Sequence, residues 1–120
     1  MKLAIVGSVR LKGNAEALCL IEAILDKHKP DEVVSGGAKG IDTMAKEAAE
    51  ARGIKVKEFL PRVKSWSTGY KPRNIQIARY CDVLVRIYSD KAKTYGSGFT
   101  KDFAKSLGKP VEQHLIMEGE

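Results

Sequence analysis

Ser35-Gly36-Gly37-Ala38-Lys39-Gly40-Ile41-Asp42 packs three glycines, a lysine and a carboxylate into eight residues. Glycines let a backbone turn tightly and come close to a ligand. If a helix follows, its first amides and its partial positive charge suit a phosphate group. The spacing is neither the Gly-Lys-Ser/Thr phosphate loop nor the dinucleotide Gly-x-Gly-x-x-Gly. The same residues equally make a tight left-handed turn, with Asp42 stabilising a helix start. Tyr95-Gly96-Ser97-Gly98-Phe99-Thr100 repeats the pattern, and there Ser97 or Thr100 donates to a phosphate or caps a helix. Trp66-Ser67-Thr68-Gly69-Tyr70-Lys71-Pro72-Arg73-Asn74 mixes aromatic, basic and amide groups. Trp66 or Tyr70 would stack on a base, and Arg73 would grip phosphate as a fork, or Trp66 anchors the loop to the core. Arg73 in a first helical turn opposes the dipole, which an anionic partner would explain.

The segments that position these residues alternate strand and helix, the pattern of an α/β fold with a mostly parallel sheet. Leu3-Ala4-Ile5-Val6-Gly7 reads as a buried strand, followed by a loop from Ser8 to Gly13. Asn14 caps a helix whose inner face is Leu18, Ile21, Ile24 and Leu25 and which Pro30 ends. Glu32 to Ser35 is a second strand. A helix with Ile41, Met44, Ala45, Ala48 and Ala51 on one face runs to Gly53. Ile54 to Leu60 is a third strand, and Pro61 to Pro72 an aperiodic loop of the kind that usually carries function. A short helix from Arg73 to Tyr80 and a strand from Asp82 to Tyr88 follow. Phe99, Phe103 and Leu107 stripe a last helix, and Pro110 to Ile116 makes an edge strand. The expected architecture is one domain over residues 1–120, with about five strands and helices on both faces. Four segments then meet at the carboxyl edge of the sheet, where open α/β sheets bind ligands: Gly7 to Arg10, Ser35 to Asp42, Ser65 to Asn74, and Tyr88 to Thr100.

Composition narrows the function classes. Apolar residues are 43% and charged residues 30% of the 120, a globular balance. No apolar run approaches the ~18 residues of a membrane span, and Met1 to Gly7 is too short for a secretory core, so a cytoplasmic protein without membrane contact is expected. The net charge is +6, and its excess sits in residues 61–101, with nine basic and two acidic side chains. Such a stretch points to an anionic partner or to a lysine-rich solvated face. Cys19 and Cys81 lack metal-ligand spacing and read as reduced, mostly buried thiols. His28 and His114 are the only histidines; both read as structural or solvent-facing, and neither a metal nor a cofactor is expected. Asp82 reads as a turn residue or a structural partner, not a catalyst, at the end of the sheet away from the crevice.

These motifs resemble the SLOG superfamily, the Rossmann-like group that includes DprA/SMF proteins and LOG-type phosphoribohydrolases, and most of all its small YspA-like members. The resemblance runs from Lys2 to Val111. It rests on Gly7-Ser8 with Arg10, on the Ser35 to Asp42 block, on Trp66 with Arg73-Asn74, and on Gly96 to Thr100. It implies a doubly wound sheet that binds a nucleotide or nucleotide-derived ligand at the strand ends. The implied ligand residues are Gly7, Ser8, Arg10, Ser35, Gly36, Gly37, Lys39, Gly40, Asp42, Trp66, Arg73, Asn74, Gly96, Ser97, Gly98 and Thr100. Phe103 stands where LOG-type enzymes carry a catalytic Glu, with Asp102 beside it. A homodimer is a habit of the family.

Three functions follow as expectations. The first is a sensor or carrier that binds a nucleotide or its derivative. The second is a nucleotide N-glycoside hydrolase, with Asp42, Asp90 or Asp102 as the acid/base and Arg10 and Arg73 on phosphate. The third is single-stranded nucleic-acid binding through the basic 61–101 stretch.

Overall fold

The computed structural model describes residues 1–93 and 96–119; Tyr95 of the second glycine turn lies outside them, as do Thr94 and Glu120. Five strands form one parallel sheet: β1 (Lys2–Gly7), β2 (Glu32–Ser35), β3 (Lys55–Glu58), β4 (Val83–Ser89) and β5 (Val111–Ile116). Their order is β3-β2-β1-β4-β5. β1 is central, and its run of apolar residues is explained by burial on both faces. Leu3 and Ile5 pack with α1 (Ala15–His28) and α2 (Ile41–Ala51). Ala4 and Val6 pack with α3 (Lys71–Tyr80) and α4 (Gly96–Ser106). The sheet is therefore doubly wound. The chain leaves β1 and β4 toward opposite faces, which opens a crevice between their carboxyl ends.

Several elements depart from the sequence reading, each for a physical reason. Asn14 does cap α1, accepting the Ala17 N–H at 2.9 Å. The buried face is Ala17, Ile21, Ile24 and Leu25, however, and Leu18 is 43% exposed. The helix stops before Pro30, because Lys29 turns left-handed at φ 46° and returns its N–H to the Leu25 carbonyl. Ala51 ends α2 exposed. β3 is shorter than expected, and it shows Lys55 and Lys57 at the sheet edge, where charge discourages pairing with another chain.

The loop after β3 ends early. Trp66–Tyr70 form one π-helical turn that runs straight into α3. Gly69 and Tyr70 both donate to the Ser65 carbonyl, at 3.1 and 2.8 Å. Gly69 makes this possible, since any Cβ there would collide with the Val63 carbonyl. Pro72 sits in the first turn of α3, where a missing N–H costs little.

The expected Phe99-Phe103-Leu107 stripe is not the buried face of α4. Gly98, Thr100 and Ala104 are buried, while Leu107 is 43% exposed. Small residues let the helix sit close on the sheet, and the two phenylalanine rings flank it, 6.1 Å apart. Cys81 is buried as expected, whereas Cys19 is exposed. Asp82 ties β1 to β4 at the amino end: it accepts the Lys2 N–H at 2.7 Å and donates its own N–H to the Lys2 carbonyl. His28 bonds to Glu112 and fastens α1 to β5, and His114 bonds to the same carboxylate from within β5. Among the described residues no helix is long and apolar enough to cross a membrane.

Candidate functional site

A cavity of about 770 Å³ opens at the carboxyl ends of the strands. Its floor begins where β1 ends. A Cβ on Gly7 would collide with the Ile87 carbonyl and lie 2.7 Å from Ile41, so only glycine lets β1, β4 and α2 meet there. Ser8 donates its N–H to Ile87 and accepts the Ser89 N–H on its hydroxyl, both at 3.2 Å. Both Gly7 and Ser8 line the cavity. Arg10 does not. A single 3-10 turn at Val9–Leu11 carries it outward, where its Nε donates to Glu118 at 2.6 Å.

The Gly36-Gly37-Ala38-Lys39 loop forms the next wall. Ser35 lies under it, fully buried, accepting the Gly37 N–H at 3.1 Å. Ser35 shapes the loop and is not in the lining. Gly40, at φ 82°, also stays out of the lining, and a Cβ there would come within 2.7 Å of the Ser8 carbonyl and of Val9. No side chain caps α2, which begins at the next residue.

Asp42 lines the cavity although it is only 5% exposed. It turns back to accept the Gly36 N–H at 3.2 Å. Burial pushes its carboxyl up from 3.8 to about 6, against the opposing pull of Arg73 and of the Gly36, Ala38 and Gly7 amides. Arg73, 8% exposed, donates Nη1 to the Gly36 carbonyl and Nε to Asn74 Oδ1 at 2.7 Å. Burial draws its guanidinium below the ordinary value, with Asp42 and Tyr70 acting the other way. Both charged groups crowd one backbone position: a Cβ on Gly36 would meet Arg73 Nη1 at 2.7 Å and Asp42 Oδ2 at 2.9 Å.

Asn74 links α3 to the second glycine turn, donating to the Gly96 carbonyl at 3.4 Å. Thr100 bonds back to the same carbonyl at 3.1 Å. Ser97 accepts Arg86 Nε at 3.1 Å. Gly96, Ser97 and Thr100 line the cavity, whereas Gly98 is buried against the sheet and does not. Trp66 stands at the rim, 45% exposed, with its ring edge-on to Phe99 at 5.2 Å.

Most of the residues singled out in the sequence therefore converge here, and four do not: Arg10, Ser35, Gly40 and Gly98. The sequence reading did not name Val6, Val9, Leu60, Pro61, Lys64, Ile77 or Phe99 as ligand residues, and all of them also line the cavity. Of the three aspartates weighed as acid/base groups, only Asp42 faces the cavity. Asp102 is exposed and pairs with Lys101 at 2.6 Å, and Asp90 accepts the Glu118 N–H at 3.0 Å. Among the described residues no three His, Cys, Asp or Glu side chains converge as metal ligands would.

Residues 1–66 match the YAcAr family, described as the YspA, cpYpsA-related SLOG family. The chain belongs to this SLOG family. The SLOG match takes in β1 through β3, with the first glycine loop and Asp42, and ends at Trp66. In fold the chain is similar to DNA processing protein A (DprA) from Streptococcus pneumoniae, with a TM-score of 0.74 and 23% identity. That likeness covers 93% of this chain but 49% of the DprA chain, so this SLOG chain spans about half its length. No curated protein matches the chain.

Proposed function

We propose that the cavity binds a nucleotide or nucleotide-derived ligand and that the protein acts as its sensor or carrier. In this reading the Gly36 to Lys39 loop takes the phosphate, and Trp66 and Phe99 take the base. One observation carries it: a glycine loop at an uncapped helix start and an edge-to-face aromatic pair open into the same cavity. Lys39 and Lys64 add exposed positive charge to the lining. Family membership supports a nucleotide-related ligand.

The test is a thermal-shift panel of nucleoside mono-, di- and triphosphates, nucleotide sugars, ADP-ribose, NAD, cyclic nucleotides and a short single-stranded DNA. A ligand at ~100 times its Kd adds about 2.7 kcal/mol, which raises the Tm of a chain of this size by roughly ten degrees. A shift with one nucleotide class supports the reading. No shift with any nucleotide overturns it. A shift with DNA alone, lost in salt, would favour a nucleic-acid interface instead. Burial of Arg73 and Arg86 weakens that alternative, since it removes two cations of the basic stretch from the surface.

Asp42 favours a second reading, N-glycosidic hydrolysis. It is a carboxyl at the cavity that holds its proton up to about pH 6, as a general acid must. Incubation with nucleoside monophosphates would release free base, and Asp42→Asn would abolish the release. No free base from the wild type would remove this reading and leave the binding one intact.

A further inference from the structure

Arg10 points away from the cavity and is half-exposed, yet its guanidinium is paired. Its Nε donates to Glu118 Oε2 at 2.6 Å, and the Ser89 hydroxyl donates to the same oxygen. Ser89 is 3% exposed, and its hydroxyl also accepts the Lys91 N–H at 3.0 Å. Lys91 Nζ donates to the Gly119 carbonyl, which holds the segment after β5 across the strand ends. A carboxylate brought from a distant part of the chain is thus held by a guanidinium and a buried hydroxyl, with the Lys91 ammonium attracting it by charge. These are the donors that bind phosphate. Their combined pull keeps the Glu118 carboxyl below its ordinary value, through the Ser89 hydroxyl first and then Arg10 and Lys91. The place adjoins the cavity: Ser8 and Val9 line the cavity, and the Ser8 hydroxyl accepts the Ser89 N–H at 3.2 Å. The acidic neighbour is Asp90, whose Oδ1 takes the Glu118 N–H.

We infer that Arg10 and Ser89 form a second anion subsite beside the cavity, and that Glu118 occupies it in the free protein in place of a phosphate group. The identity of the displacing group as a ligand's distal phosphate rests on the nucleotide reading above; the anion chemistry rests on these contacts. The segment after β5 is then an internal competitor, released when a ligand with more than one phosphate binds. A ligand with a single phosphate fills the glycine loop and leaves Glu118 in place.

The probe is inorganic pyrophosphate, titrated calorimetrically into wild type, Glu118→Ala and Glu118→Ala/Arg10→Ala. If the subsite is closed about nine-tenths of the time, Glu118→Ala should bind pyrophosphate about tenfold more tightly than wild type. Adding Arg10→Ala should cancel the gain. Equal affinity in wild type and Glu118→Ala, or a gain that survives Arg10→Ala, would overturn the inference. Wild-type protein gives a check that needs no variant. The Glu118 backbone amide resonance should shift as pyrophosphate saturates, and an unmoved resonance at saturation would also overturn it. A nucleoside monophosphate titrated into wild type reports on the cavity separately. Monophosphate binding without the pyrophosphate gain removes the subsite alone, and the gain without monophosphate binding removes the nucleotide reading alone.

Discussion

At the scale of single residues, the site turns on Gly36. Arg73 reaches it from 37 residues away to hold its carbonyl, while Asp42 holds its N–H. Gly36→Ala would push both side chains aside, and ligand affinity should fall at least tenfold while the fold survives; calorimetry and circular dichroism check the two halves. Asp42 carries a pH signature. Its folded pKa is raised from 3.8 to about 6, so the folded state keeps a proton that the unfolded chain releases. The stability this contributes is complete below pH 3.8 and is lost as pH rises through 6. Between pH 4 and 7 the wild type should therefore lose on the order of 3 kcal/mol relative to Asp42→Asn. Parallel denaturation profiles for the two proteins would contradict this. The sequence showed Gly36, Asp42 and Arg73 as candidates because their types suit the chemistry. It did not show that Arg73 would clamp Gly36 or that Arg10 would swing to Glu118. Both depend on where a helix or a tight turn aims a side chain, and spacing does not encode that for isolated residues.

At the scale of elements, strands and long helices were legible because burial on one or both faces leaves a regular pattern. β1, β2, α1 and α2 fall close to their sequence reading for that reason. The stretch before α3 was not legible. A π-helical turn breaks the 3.6-residue period, and the collision that requires Gly69 involves Val63, which sequence pattern cannot place beside it. α4 misled because its large rings lie on its flanks and its small residues face the sheet. The π turn carries Trp66 onto Phe99. An exposed aromatic pair of this geometry contributes about 1 kcal/mol, so Trp66→Ala should lower the Tm by only a few degrees. The same change should weaken the ligand by more than tenfold if the ring covers the base. A thermal melt and a binding isotherm on one preparation separate the two effects.

For the molecule as a whole, the order β3-β2-β1-β4-β5 puts the divergence of the two windings beside β1, and the cavity follows from it. The strand–helix alternation made this architecture readable, and with it the edge where the loops gather. The local charge excess was readable too, but its meaning was not. Arg73 and Arg86 spend their charge inside the fold. Gly7 is the point where sheet, helix and cavity share space. Gly7→Ala should cost about 3 kcal/mol and lower the Tm by roughly ten degrees, because backbone atoms of β4 cannot yield. A Tm within two degrees of wild type would refute that packing. The central claim, a nucleotide-type ligand between the glycine loop and the aromatic rim, has a built-in reporter, since Trp66 is the single tryptophan of the chain. Its fluorescence should change saturably with one nucleotide class in wild-type protein and stay flat in Arg73→Ala that remains folded. No saturable change with any nucleotide up to millimolar concentration, or an unaltered titration in Arg73→Ala, would contradict the account.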